Sequence, residues 1–108
     1  MEDAEKLIRL IRERSDQRLL FLPHAVRQMT RPDRMISASE IRGVIANGGI
    51  IEDYPDDVRG HRFLIMGKGE GGRPVHVVCG PKDEYLAIIR AYIPSSDDWE
   101  EGFTVRKR

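Results

Sequence analysis

The chain has 108 residues, 40% of them hydrophobic, and its eighteen Lys/Arg balance eighteen Asp/Glu. That length and apolar share fit a single domain over residues 1–108 and exclude a globally disordered chain, and zero net charge excludes a protein held to nucleic acid by bulk charge while leaving room for a local basic site. The single cysteine, Cys79, excludes an intrachain disulfide framework and a cysteine-rich zinc module; the short apolar runs and acidic start point to a cytoplasmic domain with no membrane span and no signal peptide.

Residues 2–15 read as an amphipathic helix. Leu7, Leu10 and Ile11 recur at helical spacing with Ile8 beside them, and Glu5, Lys6, Arg9, Arg12, Glu13 and Arg14 take the other face. Residues 18–22 are too short to decide between a strand and a linker. Pro23 can open a short helix over 23–31 that stops before Pro32. Ser37 and Glu40 form a capping box ahead of Ile41, Val44 and Ile45, and Gly48-Gly49 ends that helix. Four extended runs follow, 50–54, 62–66, 74–79 and 85–93, separated by turn-rich stretches with no room for a crossover helix. The tail from Pro94 is acidic through Glu101 and basic at Arg106-Lys107-Arg108. Together these predict an α+β fold, with N-terminal helices packed on one face of a four-stranded, mainly antiparallel sheet.

Strict alternation assigns the faces of the last two strands. Tyr85, Ala87, Ile89, Ala91 and Ile93, with Val75, Val77 and Cys79, form the face expected beneath the helices; Leu86, Ile88, Arg90 and Tyr92, with His76 and Val78, form the other. A hairpin centred near Lys82 would set His76 opposite Ile88 and diagonal to Arg90, at roughly 7–8 Å, within side-chain reach of one bound group. Spacing alone favours a plainer reading, with Arg90 and Tyr92 as surface residues and His76 as a hydrogen-bonded sheet histidine.

A second cluster, His24, Arg27 and Arg31, shares one side of the short helix while Val26 and Met29 face elsewhere, and Arg34 follows in the loop. Arginine forks beside a histidine suit a phosphate-bearing ligand such as RNA, although a solvated helix face explains them too. Other patterns are weaker. Gly67-Lys68-Gly69-Glu70-Gly71-Gly72 matches a dinucleotide fingerprint but is followed by Arg73-Pro74 and a strand, not by the helix that phosphate binding requires. His24, His61 and His76 share no metal-ligand spacing, so neither a metal nor any other cofactor is expected. Asp53-Tyr54-Pro55-Asp56-Asp57 reads as a turn.

Several segments together resemble a known family. His24-Ala25-x-x-x-Met29, the capped helix from Ser37 to Asn47-Gly48, Ile51-Glu52-x-Tyr54-Pro55-Asp56-Asp57, Arg73-Pro74-Val75-His76-Val77-Val78 and Tyr92-x-Pro94 ending near Trp99 resemble the bacterial and archaeal domain-of-unknown-function family with a His-Ala-x-x-Arg-Met signature. That family is grouped with RelE-like and MqsR-like toxins. At the signature this chain has Gln28 where the family has arginine, with Arg27 next to it, and its Thr30–Met35 loop departs from the usual Arg-Gly-Ile.

The resemblance implies a RelE-like fold, a messenger-RNA-cleaving toxin, and a small zinc-finger or helix-turn-helix antitoxin as partner. On that reading His24 and His76 act as base and acid, Arg27 and Arg90 hold the phosphate, Tyr92 stacks a base or donates a proton, and Arg31 and Arg34 bind RNA. Trp99 in the acidic tail is either an anchor for the partner or packed on its own domain. The alternative is a non-catalytic protein-interaction module or a degenerate toxin; a small-molecule-binding domain is a third reading.

Overall fold

The computed structural model describes residues 2–108. Helix α1 (Glu2–Gln17) leads into a short strand β1 (Leu19–Phe21), then α2 (Pro23–Met29), α3 (Ala38–Asn47), and strands β2 (Gly49–Tyr54), β3 (Arg62–Lys68), β4 (Pro74–Pro81) and β5 (Leu86–Tyr92). The sheet has five strands in the order β1-β5-β4-β3-β2, not four. The last four form the expected antiparallel meander. The fifth is the undecided 18–22 segment, which pairs parallel to β5 with Leu19, Leu20 and Phe21 opposite Leu86, Ala87 and Ile88. Three residues are too few to show a period, and their partners lie far along the chain, so local pattern could not reveal the pairing. No helix among the described residues is long and apolar enough to cross a membrane.

The helices cover one sheet face. Ile11, Ala25, Met29, Ile36, Ile41, Val44 and Ile45 close on Phe63, Ile65, Val75, Val77, Cys79, Leu86, Ile88 and Ala91, all buried. Val75, Val77 and Ala91 lie where alternation puts them. Ile89 does not: it is half-buried outside this core, and Leu86 and Ile88 take the helix-facing positions instead. The cause is a bulge, since Cys79 pairs with Ile88 and its neighbour Val78 with Arg90, leaving Ile89 as the extra residue. Residues before it are shifted by one in parity, while Arg90 and Ala91 keep their expected faces. On α2, Val26 is 42% exposed rather than buried, because Ala25 and Met29, one turn apart, form the contact stripe.

Local chemistry ties the elements together. Ser37 Oγ accepts from Glu40 N–H at 3.0 Å, which caps α3. The Glu40 carboxylate is directed elsewhere: it accepts from Arg73 Nε and Nη2 and from Glu70 N–H, each at 2.8 Å, fastening α3 to the β3–β4 loop. Gly69 is required there, because a Cβ would overlap that carboxylate. The glycine-rich segment is thus a hairpin turn. Gly48 ends α3 with an extended φ of −85°; it is glycine for want of space, since a Cβ would lie 2.5 Å from the Met66 carbonyl oxygen. Arg12 donates to the Ile45 and Gly48 carbonyls at 3.0 Å, docking α1 on the C-terminal end of α3, where cations are favoured.

Candidate functional site

Among the described residues, the opposite face of the sheet carries no helix. Its register sets Glu52 of β2 opposite Leu64 of β3, Leu64 opposite Val78 of β4, and Val78 opposite Arg90 of β5. This transverse row has an apolar floor of Leu64 and Val78 between an acid and a base, three strand spacings or roughly 14 Å apart at the backbone. Bulges govern both ends. Ile50 pairs with helix-facing Ile65, and Ile51 is an extra residue, so Glu52 turns outward. The Ile89 bulge does the same for Arg90, which strict alternation from Ile88 would drive into the core.

Around this row lies an open cleft of about 240 Å³. Tyr54, Asp57, Arg62, Tyr92 and Arg106 complete its lining. Arg106, from the tail, donates to both Glu52 oxygens at 2.7 and 3.0 Å, and the Tyr54 hydroxyl donates to the same carboxylate. The Arg106 fork holds Glu52 below the usual carboxylate range. Arg62 pairs with Asp57 at 3.4 Å. Arg90 alone of the three cleft arginines has no hydrogen bond or ion pair among the described residues, and it is exposed.

His76 lies beside the cleft and beneath the tail, fully buried. The register places it opposite Tyr92, not Ile88: the turn lies beyond Lys82, with Pro81 opposite Leu86, which moves the pairing by three residues, and the bulge adds one more. Its Nε2 is 2.7 Å from the Phe103 carbonyl oxygen and its Nδ1 is 3.3 Å from the Tyr92 hydroxyl. A carbonyl only accepts, so Nε2 carries the hydrogen and Nδ1 accepts from the phenol. Burial pushes the imidazole below its ordinary value, which keeps it neutral at neutral pH; burial likewise raises the Tyr92 phenol. Trp99 roofs His76 edge-on, with centroids 4.4 Å apart, and Arg106 lies 4.6 Å over the Trp99 ring. At 3% exposure Trp99 packs on its own domain and is no exposed anchor.

The structure therefore brings His76, Arg90 and Tyr92 together. His24 and Arg27 sit on the exposed side of α2 and do not line the cleft. Arg31 and Arg34 meet Tyr92 in a small recess of about 40 Å³ on its other side. Arg34 also donates to the Ile93 carbonyl at 2.9 Å. His61 stacks on Phe63 and pairs with Asp53, so the three histidines occupy three different surroundings. Sequence reasoning missed Glu52, Tyr54, Asp57, Arg62 and Arg106 as site residues. A usable signal existed: Glu52 and Tyr54 share parity in β2 immediately before the Pro55-Asp56-Asp57 turn that closes the cleft.

A family described as a domain of unknown function (DUF4258) matches residues 21–93. The chain belongs to the DUF4258 family. No curated protein and no solved structure matches it. The DUF4258 match spans the sheet from the end of β1 to just beyond β5 and includes every cleft residue except Arg106. Helix α1 and the tail that roofs His76 lie outside it.

Proposed function

We propose that this DUF4258 chain has a RelE-like fold and is a metal-independent endoribonuclease, the toxin of a toxin–antitoxin pair, acting on messenger RNA in the cytoplasm at the Glu52–Arg90 cleft. The observation that carries this reading is Arg90: an exposed, unpaired cation between Tyr92 and an apolar floor, where a phosphate and a base can be held side by side.

RNA supplies its own nucleophile. The protein must take the 2′-hydroxyl proton, neutralise the pentacovalent phosphorus and return a proton to the departing 5′-oxygen. In this mechanism the 2′-hydroxyl proton passes to the Tyr92 oxygen as the phenol proton moves to His76 Nδ1. The O2′–P bond forms and the P–O5′ bond breaks, leaving a 2′,3′-cyclic phosphate. The same pair returns the proton to O5′, and Arg90 stabilises the charge. Tyr92 touches substrate; His76, shielded from solvent, acts through it. Arg31 and Arg34 extend the cationic path past Tyr92, and His24 and Arg27 contact the strand more remotely, along α2. A small zinc-finger or helix-turn-helix antitoxin is the partner in this reading.

A non-catalytic interaction module is the second reading, favoured by one observation: both His76 ring nitrogens are already engaged and the residue has no exposed surface. Purified wild type, Tyr92→Phe and His76→Gln separate the two readings when melting temperature and RNA cleavage are measured on the same samples. An acid/base role predicts cleavage falling by roughly 10²–10⁴-fold in Tyr92→Phe without loss of folded protein. Cleavage tracking only the folded fraction would leave the pair a structural role.

A further inference from the structure

The Ile89 bulge has a second result. Because Ile89 and Arg90 both turn to the helix-free face, Arg90 enters the first cleft while Ile89 enters an adjoining one of about 210 Å³. Ala87, Ile89 and Gly80 contribute to its floor; Arg59, Arg62 and Lys82 line its rim, and no carboxylate lines it among the described residues. Arg62 lines both clefts. A Cβ at Gly80 would reach 3.2 Å from the His61 carbonyl oxygen and 3.6 Å from Ile89 Cδ1, so glycine keeps the recess deep.

We infer that this second cleft seats the neighbouring base of a bound single-stranded RNA, with Arg62 at the linking phosphate. This rests on the RNA reading of the first cleft and names where the next nucleotide goes. Each cleft is smaller than the roughly 300–1,000 Å³ pockets that enclose a whole drug-sized ligand, which suits one nucleotide unit apiece. An apolar floor accepts the face of any base, and the three rim cations outnumber the Asp57 carboxylate that pairs with Arg59 and Arg62, so the rim complements the flanking phosphates. Arg59 also pairs with Asp57, and Lys82 donates to the Arg59 carbonyl, so the rim is held in place before a ligand arrives.

The test compares the affinity of the full chain for 2′-O-methyl mononucleotides and dinucleotides bearing a 3′-phosphate, which cannot be cleaved. Wild type is expected to bind the dinucleotide about tenfold more tightly, the gain of one seated base. Ile89→Asp removes that gain and leaves mononucleotide affinity unchanged; Ile89→Ala reduces it in the same direction, and melting temperatures confirm that both fold. Arg90→Ala weakens both ligands. A gain that persists in Ile89→Asp, with Arg90→Ala still weakening both, overturns the second subsite alone. Nucleotides that do not bind, or that bind equally well to Arg90→Ala, overturn the RNA reading of the first cleft and this inference with it. Displacement of the dinucleotide by polyglutamate at equal charge concentration would also overturn it, since an acidic peptide would then be an equal ligand.

Discussion

Glu40 and Glu52 are both carboxylates gripped by an arginine, and their surroundings set them to different work. The Glu40 side chain is 1% exposed and accepts three hydrogen bonds, so it is a structural rivet, while Glu52, 21% exposed, faces an open cleft. The Arg73 hydrogen bond holds Glu40 below the carboxylate value of 4.5. A depressed folded pKa means that the unfolded chain protonates first, so the stabilisation is complete above about 4.5 and is lost as pH falls through the lower folded value. Glu40→Gln should therefore lower stability by about 2 kcal/mol at pH 7, and the gap in melting temperature to wild type should close on acidification below pH ~4. The sequence reveals the cap through Ser37-x-x-Glu40 spacing, but not the rivet, because Arg73 lies beyond two strands and a hairpin turn. Arg90 was legible as an outward residue, and His76 as a hydrogen-bonded sheet histidine. Arg106 was not legible, since its partner Glu52 is reached only when the tail folds back.

At the scale of the element, periodicity carried the reading as far as the ladders stay regular. Helix α3 and strands β3 and β4 follow their patterns closely, but β2 and β5 each contain an inserted residue that reverses parity. Ile89 was misplaced for that reason. The edge of β5 shows a related device. Strand β1 stops pairing at Phe21, and beyond it the Ala91 N–H donates to Gln28 Oε1 at 3.0 Å, so a side chain of α2 continues the ladder. Gln28, which stands where the signature has arginine, is thereby given a structural task. Gln28→Leu should leave that amide without a partner, costing about 1–3 kcal/mol and accelerating hydrogen exchange at Ala91 above that of its neighbours in β5. Unchanged exchange at Ala91 would show that the side chain contributes nothing to the edge.

Across the whole molecule, helices insulate one sheet face, while the tail partly covers the other. The roof consists of the Phe103 carbonyl on His76, Trp99 against its ring, and Arg106 on Glu52. Burial lowers the His76 pKa below 6.5, so the unfolded or undocked chain takes up a proton first. Tail docking is then most favourable above about pH 6.5 and weakens as pH falls through that value, with Tyr92, Glu52 and Arg106 as the neighbouring polar groups. Trp99 is the single tryptophan, and its emission should shift to the red as pH falls below 6.5 in wild type but not in His76→Gln. The tail's composition showed an aromatic among charges and left both packing outcomes open; which one holds depends on a surface 23 residues earlier, at His76. The most direct test of the RNA-cleaving account is to induce wild type and Arg90→Ala separately in a bacterial host, without any neighbouring gene, and map RNA 5′ ends. The account predicts growth arrest with cuts at defined sites for wild type, and their loss in an Arg90→Ala chain that melts at the same temperature. Wild-type induction without new RNA ends, or an identical set of cuts from Arg90→Ala, would contradict it.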